Sequence, residues 1–326
     1  MTARRRLLGF AAALLAVPIL GALPAAAQEA SAGKVRVVAS FSVLADMVRV
    51  VGGDAVEVAP LIGPDADAHV FQPSPAHARA VSQAQLVVVN GHGFEGWMTR
   101  LIRSANYKGP VVTASEGVPT LGMGKDAAHG PGHGPAKAKS GHSHGHAHSP
   151  ASADPHIWQD PLRAQAMVRN IADGLAKIAP ARADRFRANA DAYAQELARI
   201  ETWGHEQLAA VPPDRRRVVT SHDSFGYLGD RFGIAFVPAQ GLSTDAEPTA
   251  QQVAALIRQV RQDGIRAVFV ENVSNPRVIE RIAAESGAVV GGRLYSDALS
   301  GPGGPAPSHA AMLRHNIGAI VAALKR

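Results

Sequence analysis

From Val35 onward, short runs of β-branched residues alternate with amphipathic stretches. In the first half, strands are expected at 35–39, 55–61, 86–89 and 111–112, with helices at 43–51, 76–83 and 95–104 between them. The rhythm returns near the C-terminus, with strands at 218–220, 235–237, 267–270 and 288–290 and helices at 224–231, 249–262, 276–286 and 309–324. Alternation of this kind predicts parallel sheets covered by helices, because parallel strands need crossover connections and are buried on both faces. Between the halves, a helix at 162–178 precedes a stripe of Phe186, Ala190, Tyr193, Leu197, Ile200 and Leu208 at steps of mostly three and four. Such spacing marks one buried helical face. A helix of about 25 residues spans roughly 38 Å, a stiff connection. The expected fold is therefore α/β, with two lobes, each a mostly parallel sheet with flanking helices, joined by a long rigid helix.

Two segments stand outside this pattern. Arg4, Arg5 and Arg6 precede an alanine-rich apolar run that ends at Ala25-Ala26-Ala27, which reads as a secretory signal peptide over 1–27. The Arg pair before Leu7-Leu8 also resembles a twin-arginine signal, so the Sec and twin-arginine routes both remain open. Residues 125–152 are rich in Gly, Pro, Ala, Ser and His without apolar periodicity, and a loop lacking fixed structure is expected there. The domain division that follows is an N-terminal lobe over 28–180, a linking helix over 181–211 and a C-terminal lobe over 212–326.

Composition narrows the chemistry. There is no Cys, so disulfides, thiolate ligands and lipid attachment through cysteine are excluded, and the expected location is free in the periplasm. Removing Arg4, Arg5 and Arg6 leaves 30 basic residues against 27 acidic ones, and no basic cluster with interleaved aromatics points to nucleic acid. Six of the 14 His (His129, His133, His142, His144, His146 and His148) lie in the 125–152 tract. Neutral imidazole is a good Zn²⁺ ligand, so an auxiliary site of modest affinity is expected there.

In open α/β sheets, ligands bind beyond the carboxyl ends of strands. Four metal-ligand candidates occupy such places or adjoin the connector: His69, His156, His222 and Asp297. Their surroundings are Asp67-Ala68-His69-Val70-Phe71-Gln72-Pro73, Asp154-Pro155-His156-Ile157-Trp158, Ser221-His222-Asp223-Ser224-Phe225-Gly226-Tyr227 and Tyr295-Ser296-Asp297-Ala298-Leu299. Asp154, Asp223 and Asp67 are candidates for orienting the imidazoles. Glu271 ends a strand and is expected to hydrogen-bond a neighbouring loop. His77, His205, His309 and His315 read as surface or packed histidines, whereas His92 follows a strand and could border the cleft.

Together the four segments resemble the metal-binding solute-binding proteins of ABC transporters, in particular the zinc-uptake (ZnuA) type. The resemblance covers essentially the whole mature chain, including a His-rich insertion before the second motif. The first motif departs from the family pattern at Ala68, where proline is usual, and at Gln72, where glutamate is frequent. The resemblance implies a Zn²⁺ ion between the lobes, held by His69 and His156 from one and His222 and Asp297 from the other. Related manganese binders carry a carboxylate where this chain has His222, and imidazole favours zinc. It further implies a membrane permease as partner, a periplasmic zinc chaperone as a further one, and a monomer. A manganese or iron importer and a periplasmic zinc buffer are the alternatives. A secreted zinc hydrolase is disfavoured, since a fourth protein ligand closes the site and no His-Glu-x-x-His helix is present.

Overall fold

The computed structural model describes residues 33–121 and 153–326. The signal-peptide segment and the auxiliary histidines His129, His133, His142, His144, His146 and His148 lie outside the described residues.

The β-branched runs form strands, and those at the centre of each sheet are buried on both faces, as sheets sandwiched between helices require. In the first lobe, β1 (Val35–Phe41), β2 (Val56–Ile62), β3 (Leu86–Val89) and β4 (Val111–Thr113) form one sheet in the order β2-β1-β3-β4. In the second, β5 (Arg217–Thr220), β6 (Ala235–Pro238), β7 (Ala267–Glu271) and β8 (Val289–Leu294) repeat that order as β6-β5-β7-β8. All six pairings are parallel. In each sheet the chain first moves one way from its opening strand and then crosses back, which leaves a switch point at β1/β3 and at β5/β7. Loops at the carboxyl ends diverge there and open a crevice.

The helices follow the expected order: α1 (Ser42–Gly52), α2 (Pro75–Gln83), α3 (Met98–Ser104), α4 (Pro161–Ile178), α5 (Ala183–Leu208), α6 (Gly226–Phe232), α7 (Ala250–Gln262), α8 (Pro276–Ser286) and α9 (His309–Leu324). Asp160 caps α4 by accepting the Leu162 N–H at 2.8 Å, and Pro161 occupies the first turn, where its missing N–H costs nothing. The α5 stripe is buried as its spacing predicts, and α5 packs against α4, α9 and α1. Gly204 on α5 is needed for close approach, since a Cβ there would stand 2.5 Å from Phe232.

Two element boundaries bear on the site. The helix expected from 95 begins at Met98, because Glu95 turns inward to accept the Ser40 hydroxyl at 2.6 Å and the Asn90 N–H at 2.6 Å. Strand β8 continues to Leu294 through a register shift: Val268 pairs with Val290, whereas Val270 pairs with Arg293. The extra β8 residue is a bulge, and Gly291 permits it, since a Cβ there would stand 2.5 Å from Phe269. Bulges re-aim whatever follows them, and β8 leads directly to Asp297.

One apolar cluster runs through both lobes and includes Phe41, Trp158, Phe186, Phe225, Phe232, Phe269 and Leu313. A smaller one, with Val219, Ile257, Val268 and Ile279, lies between the second sheet and α7 and α8. A core that spans the junction ties the lobes together by the same burial that holds each one.

Candidate metal centre

His69, His156, His222 and Asp297 converge: one ligand atom from each lies within 4.8 Å of all the others. His69 comes from the loop after β2, His156 from the segment before α4, His222 from the residue pair after β5, and Asp297 from the loop after β8. Asp297 is the hub. Its Oδ2 lies 3.2 Å from His69 Nε2 and 3.1 Å from His222 Nε2, and its Oδ1 lies 3.5 Å from His156 Nε2. A tetrahedron of ligands at ~2.0–2.1 Å from a zinc ion has edges of about 3.3–3.4 Å, so these three spacings already suit one.

Each side chain is held from behind. Asp154 Oδ1 accepts the His156 backbone N–H at 2.9 Å and faces His156 Nδ1 at 2.7 Å, which turns Nε2 toward Asp297. Asp67 Oδ1 accepts the His69 backbone N–H at 2.8 Å and so fixes the loop, not the ring. Behind His222 stands Glu271, whose Oε1 accepts the His222 N–H at 2.8 Å and whose Oε2 is 2.6 Å from Nδ1. That second contact is an ion pair more than an aligned hydrogen bond, so charge carries it. Phe94 packs edge-on against His69 with centroids 4.9 Å apart, and Trp158 packs against His156 at 5.3 Å. The Asp297 loop is clamped through its neighbour: the Ser296 carbonyl accepts the Trp158 Nε1–H and a Gln159 Nε2–H, both at 2.9 Å.

The electrostatics are those of a buried site built around charge. Burial opposes a proton on His222, but the Glu271 and Asp297 carboxylates at its two nitrogens outweigh that and hold it well above the ordinary histidine range. Burial likewise opposes charge on Asp297, and His222 and His156 outweigh it and hold the carboxyl well below its ordinary value. The three Nε2 atoms and both Asp297 oxygens are buried without a hydrogen-bond partner. Buried polar atoms are ordinarily paired, and five orphans facing one point suit a cation.

Of the three carboxylates expected to orient imidazoles, Asp154 does so. Asp67 serves the backbone of His69 instead. No ring contact of Asp223 is seen among the described residues; its N–H donates to the Gly241 carbonyl. Glu271 does hydrogen-bond a neighbouring loop, as expected, but its contact with the His222 ring was not legible, because only the β5–β7 pairing brings it beside His222. His92 sits in a tight turn with φ of 51°, outside the four-residue cluster. His77 Nδ1 accepts the Ser74 N–H at the start of α2, and His205 pairs with Glu201 one turn away at 3.1 Å. His309 is fully buried between the Tyr193 hydroxyl at 2.9 Å and the Trp158 carbonyl at 2.8 Å.

The profile of the family described as "ZnuA: Zinc-uptake complex component A periplasmic" matches residues 37–323. The chain belongs to the ZnuA family. Among its relatives, the manganese-binding lipoprotein MntA of Bacillus subtilis is 31% identical over 306 residues, covering 90% of this chain and 93% of that protein. The iron-binding protein YfeA of Yersinia pestis is 28% identical, covering 89% and 86%. Among solved structures, the periplasmic zinc-binding protein TroA of Treponema pallidum superposes with a TM-score of 0.78 at 27% identity, covering 90% of this chain and 100% of that one. ZnuA-family chains are solute-binding proteins, not enzymes, and work with the permease and ATPase of a metal ABC transporter.

The expected location needs correction. MntA of B. subtilis and of Halalkalibacterium halodurans, FimA of Streptococcus parasanguinis and PsaA of Streptococcus pneumoniae are all named lipoproteins, which are membrane-anchored. Periplasmic placement fits the family only in part, and the expectation of a chain free in the periplasm is withdrawn. An Arg-rich leader pattern reports export and not where the exported chain is held, and the absence of Cys bears on one linkage chemistry only.

Proposed function

We propose that this ZnuA-family chain captures Zn²⁺ through His69, His156, His222 and Asp297 and delivers it to a membrane permease for import. The observation that carries this reading is the convergence of three imidazole Nε2 atoms and one carboxylate on a buried point, all five candidate atoms lacking hydrogen-bond partners. Three nitrogens and one carboxylate oxygen, all within 4.8 Å of one another, suit zinc. The proposed division into lobes at 28–180 and 212–326, with 181–211 between them, puts two ligands in each lobe. The proposal also keeps the six tract histidines, His129 to His148, as auxiliary zinc ligands of lower affinity.

A second reading has support from the relatives, whose names assign manganese to MntA and iron to YfeA while TroA is named for zinc. The deciding experiment is metal content of the protein purified without a His tag, followed by competition titration with Zn²⁺, Mn²⁺ and Fe²⁺ against a calibrated chelator. Zinc bound at least tenfold more tightly than manganese supports the first reading. Equal affinities, or tighter manganese, sink it.

A further inference from the structure

We propose that a polar cavity beside the four-residue cluster is a staging site for a hydrated divalent cation, from which the ion passes His69 to reach the cluster. This rests on the cluster being the metal site. The cavity measures about 80 Å³, and its walls include Asp67, Ser221, Gln240, Thr244, Glu247 and Ser274. One water needs about 10–15 Å³ of such space, so there is room for a cation with several waters still attached.

Position is the first argument. Asp67 holds the backbone of His69, and Ser221 directly precedes His222, so the cavity wall continues into two of the ligand loops. His69 is also the one member of the cluster with solvent exposure: its side chain is 7% exposed, whereas those of His156, His222 and Asp297 are 0%. The His69 loop is therefore the part of the cluster nearest to water, and Asp67 of the cavity wall lies in that same loop.

Chemistry is the second. The polar part of the wall carries two carboxylates, the hydroxyls of Ser221, Thr244 and Ser274 and the amides of Gln240 and Asn275, with Val273 and Val278 completing it. Gln240 Nε2 donates to the Ala246 carbonyl at 3.1 Å, which occupies its nitrogen. Ser274 Oγ, in the wall, is a buried atom with no hydrogen-bond partner. Oxygen donors around a hydrated ion make an exchangeable, outer-sphere site, and the nitrogen donors that would strip the remaining water stand beyond it. Two carboxylates in a partly enclosed wall also concentrate cations and repel anions.

The third is the closure across it. Thr244, in the loop between β6 and α7, donates its hydroxyl to Asp67 Oδ2 at 2.6 Å and so joins the second lobe to the first at this wall. An ion drawing on Asp67 Oδ2 competes with that bond, so arrival of the ion and loosening of the loop are one event.

Glu247 is exposed and accepts from Asn275 Nδ2 at 3.4 Å, with no bond to a ligand backbone among the described residues, which makes Glu247→Gln the clean test; Asp67 is unsuitable because it braces His69. Stopped-flow mixing of the full chain with Zn²⁺ reads the cluster through Trp158, which packs on His156. A group that meets the ion only in transit changes both rates alike. E247Q should slow association about 3–10-fold, with dissociation slowed similarly and Kd within about twofold of wild type. T244V should speed both rates. Glu57→Gln, which removes an exposed carboxylate on β2, should change neither. An association rate unchanged by E247Q, a loss of affinity carried by faster dissociation alone, or equal slowing by E57Q each overturns the proposal. His222→Ala separates this from the cluster: if it keeps the wild-type Trp158 response, the cluster reading itself fails.

Discussion

Replacing Glu271 with Gln tests whether a carboxylate that touches no metal governs the cluster. The substitution keeps the volume, so packing is preserved, but the hydrogen-bonding cannot be. Glu271 accepts at both oxygens: Oε1 from the His222 N–H at 2.8 Å, Oε2 from the Ser224 hydroxyl at 3.2 Å, with His222 Nδ1 at 2.6 Å. Glutamine offers one acceptor and one NH₂ group. If its oxygen faces Nδ1, the NH₂ meets the backbone N–H, and a buried donor goes unpaired at a cost of about 1–3 kcal/mol. If its oxygen faces the backbone, the NH₂ meets Nδ1 and forces the proton onto Nε2, the nitrogen aimed at the cluster. The first arrangement leaves Nε2 free to ligate only at that cost, and the second blocks it, so ligation through Nε2 is penalised. Loss of a carboxylate behind a ligating histidine typically costs 10–100-fold in metal affinity, or about 1.4–2.7 kcal/mol. Competition titration with a chelator measures it, with circular dichroism and thermal melts confirming an intact fold. A Kd within about threefold of wild type, in a folded variant, would refute the argument that Glu271 fixes the His222 tautomer.

The cluster itself predicts that His69→Ala, His156→Ala or His222→Ala each weakens Zn²⁺ binding by orders of magnitude, while Asp297→Ala costs less because water can replace one carboxylate oxygen; wild-type affinity in any His variant removes that residue from the ligand set. Because His222 in the metal-free protein is held well above the ordinary histidine range by Glu271 and Asp297, against its burial, it carries a proton at neutral pH. Zinc must displace that proton, so calorimetry in buffers of different ionisation enthalpy should find about one proton released per ion from His222, with affinity rising as pH rises toward its raised pKa. For His309, burial outweighs the opposing hydrogen bond to the Trp158 carbonyl and pushes the pKa down to about 4. Its neutral form is the folded one, so its contribution is full above the unfolded value of ~6.5 and is lost as pH falls toward 4, about 3 kcal/mol in all. His309→Phe should lower stability at pH 7 and flatten that acid loss, as read by urea unfolding at pH 7 and 4.5; an unchanged acid slope counts against it. Deleting 129–148 should leave one tight Zn²⁺ per molecule in calorimetry and abolish only weaker binding, and loss of the tight event would move the principal site into that tract.

Most of the strands were readable because buried parallel strands are nearly continuous apolar runs, and α5 because its stripe extends from Phe186 to Leu208. His69, His222 and Asp297 were readable as candidates because they sit in loops at strand ends, and His156 because its segment, like the other three, resembles a metal-binding family's motif. What local sequence cannot give is partnership across the sheet. Glu95 lies in a pattern that suits a helix, yet its carboxylate is drawn to the hydroxyl of Ser40, 55 residues earlier, and the helix starts late. Glu271 looks like any strand-terminal acid until β5 pairs with β7. His309 opens α9 and reads as ordinary, but its ring joins Tyr193 on α5 to the carbonyl of Trp158, a connection made only in the assembled fold.

Those same connections bear on how a metal can be captured. The segments that carry the four residues are tied across the lobes by protein groups alone. Trp158 and Gln159, just after His156, donate to the Ser296 carbonyl, just before Asp297. Asp160 receives Arg231 from α6 through two bonds of 2.9 Å. Asn272 reaches Asp65 at 3.0 Å, and the Leu299 N–H reaches the Ser42 hydroxyl at 2.9 Å. A shared core and a 26-residue helix reinforce these ties. Ties of this kind lower the ordering entropy lost when an ion binds, which lets the donor set and the charges behind it weigh more in the affinity. The Thr244–Asp67 bond is the tie that adjoins the His69 backbone, so the proposed staging site would make loosening of the Thr244 loop part of release.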